Sequence, residues 1–135
     1  YAQGQKEAGL GIYREAMLRY PLHLALLYGY GDILLGDKKY AEALKFADEQ
    51  LKNYPLDVRF YKIRAESYAG LDRRSQQHLA LAEMSMLKGQ TAGAIEQLEL
   101  AQKAGDANFY ELSVIDGRLR DVKRRQIEEM KERRN

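Results

Sequence analysis

The sequence predicts an all-α fold, an α-solenoid of antiparallel helix pairs closed by a long C-terminal capping helix. Three observations point there. Tyr20-Pro21-Leu22 returns as Tyr54-Pro55-Leu56, and Gly36 returns as Gly70, each after 34 residues. A repeat of that length is one pair of helices, which cannot bury its apolar face alone and must stack on its neighbours. Near the end of the chain Leu112, Ile115, Leu119 and Val122 fall at steps of three and four, the spacing of a single helical stripe.

The 34-residue period is that of the tetratricopeptide repeat (TPR), and the two prolines set its register. The first unit is truncated and keeps mainly its second helix, about residues 5 to 19, with Gly9, Tyr13 and Ala16 at packing positions and Pro21 after it. The second unit places Leu27, Tyr30, Gly31 and Leu34 on its first helix and Tyr40 and Ala43 on its second, with Ala47 and Gln50 departing from the consensus. The third places Tyr61, Ala65 and Tyr68 on a first helix, after which Gly70-Leu71-Asp72 makes the turn with Asp72 as N-cap. Its second helix, about residues 73 to 88, ends at Gly89 where a proline would stand. The frame restarts there with Ala94, Leu98 and Ala101, so one helix serves two units. The last helix opens with Asn108 as N-cap and Glu111 completing a capping box, and runs to about Arg133. Beyond Val122 its stripe thins to Ile127 and Met130, and the helix is expected to project into solvent. The expected organisation is a repeat region over residues 1–105 and a capping helix over 106–135 of the same domain.

Composition fits a compact soluble chain without naming a chemistry. The 135 residues are 45% apolar, and Lys plus Arg exceed Asp plus Glu by only two, so no strong electrostatic bias favours nucleic acid or membrane. Absence of cysteine removes thiolate ligands and thiol catalysis and suits reducing and oxidising compartments alike. The longest apolar stretch, from Leu22 to Leu35, carries His23 and Asp32 and is too short to span a bilayer. The chain begins at Tyr1 with neither an initiating Met nor a signal peptide, as expected of an excised or mature C-terminal part.

No catalytic constellation is expected. His23 and His78 are far apart and lack the helical spacing of a zinc protease; His78 reads as a structural residue. Gly4, Gly9 and Gly11 lie in a helical frame with no strand before them, which excludes a phosphate loop. What remains is a surface. The groove-lining positions of successive first helices give Tyr28, Asp32 and Leu35, then Arg59, Lys62, Glu66 and Ala69, then Gln76, Leu79, Glu83 and Met86. Mixed aromatic, aliphatic and charged groups suit an extended peptide, a helix or a neighbouring domain. Capture of a C-terminal carboxylate is disfavoured, since Asp32 and Glu66 stand where such grooves carry asparagine. Arg118, Arg120, Lys123, Arg124 and Arg125 crowd the last helix and offer the clustered positive charge that nucleic-acid phosphates or anionic lipid would take, but interleaved Asp116, Asp121, Glu128, Glu129 and Glu132 read as a solvated surface, and no nucleic-acid partner is expected.

A narrower resemblance rests on Leu81-Ala82-Glu83, Leu87-Lys88-Gly89, Ala94-Ile95-Glu96-Gln97-Leu98-Glu99-Leu100-Ala101, Phe109-Tyr110, Ser113, Ile115-Asp116 and Arg118-Leu119-Arg120. This run resembles the C-terminal repeat region of bacterial periplasmic zinc metalloproteases of the BepA type. The resemblance implies a recruiting domain beside an H-E-x-x-H protease domain that lies outside this chain. Zinc is then expected only in that domain, with no cofactor and no catalytic residue here. The implied partners are the chain's own protease domain and outer-membrane assembly proteins, and the implied address is the periplasm. The truncated first repeat would favour self-association through exposed apolar surface. The alternative is an independent cytoplasmic scaffold that binds a peptide or a partner helix.

Overall fold

The structure, a computed structural model, describes residues 3–20 and 23–134. Among these residues there are seven helices and no strand: α1 (Gln3–Arg19), α2 (Leu24–Gly36), α3 (Tyr40–Asn53), α4 (Val58–Gly70), α5 (Arg74–Leu87), α6 (Thr91–Lys103) and α7 (Phe109–Arg134). Consecutive helices pack as pairs, and the chain is an all-α, tetratricopeptide-like α-solenoid fold with a long C-terminal helix. The period is kept to the residue: α4 repeats the bounds of α2, and α5 those of α3, each 34 positions later. Pro21 and Leu22, half of the sequence signal for that period, lie outside the described residues.

The helix ends explain this regularity. After α2, α4, α5 and α6 comes one further residue and then one in the left-handed region, namely Lys38 (φ 57°), Asp72 (φ 56°), Gly89 (φ 74°) and Gly105 (φ 84°). At the first of these the Lys39 amide donates back to the Leu34 carbonyl at 2.9 Å, and at the third Gln90 donates to Ser85 at 2.8 Å. This closure satisfies the last carbonyls of the helix and reverses the chain. Asp72 therefore terminates α4 and is not the N-cap of α5; Arg73 holds that place.

Contacts divide the chain into two compact units, Tyr1–Leu71 and Asp72–Asn135, a division that falls inside the 1–105 repeat region. In the first unit α1 packs on α2, α2 on α3 and α4, and α3 on α4. Its core joins Leu10, Leu27, Leu34, Ala43, Ala47, Leu51, Phe60 and Ile63. Phe60, fully buried, sits among Tyr28, Tyr54 and Phe46 with ring centroids 5.1, 5.9 and 6.4 Å away. Small residues make the close approaches: a methyl group at Gly31 would lie 2.6 Å from Ile63, and one at Gly70 2.4 Å from the Tyr40 ring. The departure at Ala47 is absorbed because that residue is fully buried while neighbouring Phe46 supplies the aromatic bulk. In α4 the deepest apolar side chains are Phe60 and Ile63, whereas Tyr61 and Tyr68 are half-buried.

In the second unit α5 packs on α6 and α6 on α7. Thus α5 is seen in one of its two expected roles, as partner of α6. The core joins Ala82, Ala94, Leu98, Ala101, Ile115, Leu119 and Val122. Leu112 is exposed, so the buried stripe of α7 begins one turn later than the sequence suggested. The N-terminus of α7 forms the expected capping box: Glu111 N donates to Asn108 Oδ1 at 2.8 Å and Asn108 N donates to Glu111 Oε1 at 3.0 Å. Toward its far end α7 exposes Ile127 and Met130. Its opposite side still meets the start of α6, where the Thr91 hydroxyl donates to Glu129 at 2.8 Å.

Candidate partner-binding surface

The sequence-derived surface residues fall in both units, and each group is described within its own. In the first unit the start of α4 is fixed by Asp57, whose Oδ1 accepts from the Arg59 amide at 2.8 Å as an N-cap. Its other oxygen accepts from the Tyr28 hydroxyl of α2 at 2.5 Å. Burial pushes the Tyr28 hydroxyl up to about 12, and the adjacent Asp57 carboxylate adds to the shift, so the phenol stays neutral and remains the donor. Arg59 then lies over the Tyr28 ring, 4.6 Å from its centroid, and reaches Asp32 Oδ2 at 3.2 Å. Both charged partners are more than half exposed, so this pair adds little stability; its effect is to keep the guanidinium over the ring.

Tyr28, Asp32 and Arg59 are thus brought together on facing α2 and α4. Leu35 is half-buried against the core of this unit. Lys62, Glu66 and Ala69 point to solvent further along α4. The assembly offers an aromatic face, a planar cation, an acid and two further opposite charges. Such a set can order a peptide backbone or side chains by stacking and charge pairing. Asp57, which positions two of these residues, was not among the sequence candidates. Its signal was present, since Asp directly before a helix start and after Pro55-Leu56 is an N-cap signature.

In the second unit the candidates serve internal packing more than a free surface. Leu79 and Met86 are half-buried against the α6–α7 core. Glu83 receives Arg118 of α7 through two hydrogen bonds of 2.5 and 2.9 Å. Gln76 is half-buried. His78 Nδ1 lies 2.8 Å from Gln97 Oε1, the structural contact expected of it. Around α5's start a second polar cluster forms that the sequence did not suggest. Asp106 Oδ1 accepts from the Ser75 amide at 3.0 Å, and Glu111 takes both its oxygens to Arg73 Nη2 at 2.8 and 2.7 Å. The Ser75 hydroxyl, then the Ser75 and Arg74 amides and the Arg73 charge, hold the Asp106 carboxyl below its ordinary range. That hydroxyl completes no well-directed hydrogen bond, so it acts as a nearby dipole.

A cleft of about 430 Å³ opens where Gly89 and Gly93 face Gln126, Glu129 and Arg133 of α7. Its helix terminus is already occupied by the Glu129 carboxylate on Thr91. Among the described residues no group of His, Cys, Asp and Glu could hold a metal ion, and no helix is long and apolar enough to cross a membrane. In comparison with known proteins, no family model matches the chain and no curated protein matches it.

Proposed function

We propose that the chain is a protein–protein interaction module that engages its partner through the α2–α4 surface of the first unit. The observation that carries this reading is the placement of Arg59 over the Tyr28 ring beside Asp32, with Lys62 and Glu66 exposed further along α4. A guanidinium over a half-buried tyrosine at the surface is the kind of aromatic and arginine anchor that dominates protein interfaces. On the resemblance described above, the module is the recruiting domain of a periplasmic zinc metalloprotease and chaperone in outer-membrane protein quality control. Catalysis and zinc then belong to a separate protease domain.

The surface is tested by site-specific crosslinking in cells to the proteins it recruits. Tyr28→Ala combined with Lys62→Glu should abolish the crosslinks while far-UV circular dichroism stays unchanged, since loss of one aromatic anchor weakens an interface by roughly 30-fold or more. Retained crosslinks would move the interface off α2 and α4. The wider reading is tested on the gene: an H-E-x-x-H segment encoded upstream in the same frame supports the protease assignment, and a start codon at this position favours the independent scaffold.

A further inference from the structure

On sequence order alone the charges of α7 alternate and cancel, but around the helix axis they separate. At about 100° per residue, Arg120, Lys123, Arg124, Lys131 and Arg134 all project within about 60° of the direction of Phe109. All five are exposed, and Arg120, Lys123, Lys131 and Arg134 form no ion pair among the described residues. The acids Asp121, Glu128 and Glu132 point about 100–140° away, on the neighbouring flank. One acid, Asp116, shares the basic side, and it is half-buried and accepts from Gln102 Nε2 at 2.7 Å. The same arc carries apolar side chains in the open: Phe109 is 88% exposed, Ile127 54% and Met130 50%.

We propose that this face of α7 docks on an anionic lipid bilayer, with the helix lying in the interface plane. Two independent features favour that occupant. Five of the eight cations of α7 are collected on one arc, the others being Arg118, Arg125 and Arg133, and four of those five are unneutralised by the fold, which matches a surface of negative headgroups. Apolar side chains stand among them on the same arc, where a lipid surface accepts both at once: Phe109, Ile127 and Met130 enter the acyl boundary while the Lys and Arg stems reach the phosphates. Nucleic acid would use the cations and the terminal aromatic, but would gain little from Ile127 and Met130 in mid-helix. The helix from Phe109 to Arg134 is about 38 Å long but too charged to cross a bilayer, so the contact runs along the membrane surface.

Flotation of the full chain with vesicles of 30% phosphatidylglycerol in phosphatidylcholine, and with pure phosphatidylcholine, tests this directly. Binding is expected to the anionic vesicles only and to fall steeply with added salt. Arg120→Gln with Lys123→Gln should weaken it roughly 30-fold, from about a fivefold effect per cation. Ile127→Ser with Met130→Ser should weaken vesicle binding several-fold. Glu128→Gln with Glu132→Gln, on the acidic flank, should not weaken it. All six positions but Glu128 and Glu132 lie on the proposed face, all are exposed, and unchanged helicity confirms each variant is folded. No flotation, equal flotation with neutral vesicles, or indifference to the Ile127 and Met130 changes would overturn the proposal. Tighter binding to a single-stranded oligonucleotide than to anionic vesicles in the same buffer would also overturn it and reassign the face to nucleic acid.

Discussion

Lys38 and Asp72 are side-chain-bearing residues held at φ 57° and 56°, in the conformation that Gly89 and Gly105 adopt at equivalent helix ends. An L-residue pays about 1–2 kcal/mol to enter that region, while glycine gives back about 0.5–1 kcal/mol through its freer unfolded chain. Both side chains are exposed, so replacing them removes no core contact. Lys38→Gly and Asp72→Gly should therefore each raise stability by roughly 0.5–1 kcal/mol, read as a higher urea midpoint at unchanged slope. A midpoint that falls for both would show that their side chains do something at these turns that the geometry does not reveal. Asp72 also shows where local reading fails. Aspartate is both a favoured N-cap and tolerant of the left-handed region, so a turn ending in Asp fits two roles equally. The choice was made elsewhere: Asp106, far along the chain, accepts from the Ser75 amide near the start of α5. Asn108 with Glu111 was legible because both partners of that box lie within one turn.

At the scale of elements, the starts of α5 and α7 are clasped by Arg73, Asp106 and Glu111. The Asn108 amide, with the Arg73 guanidinium behind it, holds Glu111 below its ordinary value of 4.5, and Asp106 is held below 3.8. Carboxyls whose folded values are depressed add stability that is present above their unfolded values and is lost as pH falls through the folded ones. Acidification below about pH 4.5 should therefore loosen the second unit progressively. Glu111→Gln isolates the effect, because glutamine also completes a capping box but carries no charge for Arg73. That variant should lose about 1 kcal/mol or less at neutral pH and show a shallower decline of helicity between pH 5 and about 3 than the parent. An identical acid profile would mean that the clasp does not govern acid stability. The Arg73–Glu111 pair spans 38 positions, which is why periodicity and capping rules, both local, passed over it.

For the whole molecule, the 34-residue period made the bounds of α2 through α5 legible, because every repeat must turn the same faces inward. It did not reveal the division at Leu71 and Asp72: a repeat pattern reports which side of each helix is apolar, not which helices share a core. The candidate surface was half legible for the same reason. Tyr28, Asp32 and Arg59 meet as their repeat positions require, whereas Leu79, Glu83 and Met86 are drawn toward α6 and α7, since the closing helix follows no repeat. The division has a measurable consequence. Ala43 and Ala94 occupy the same small position in α3 and α6, both fully buried, yet they belong to core clusters with no residue in common. Ala43→Leu and Ala94→Leu should each overpack their own core at roughly 1–3 kcal/mol. With no shared partner between the clusters, the double variant should lose the sum of the two to within about 0.5 kcal/mol. Urea unfolding of the four proteins of that cycle measures it. A coupling well above that limit would show that the two cores respond as one, and an unchanged midpoint for Ala43→Leu would show that the repeat register itself is misplaced.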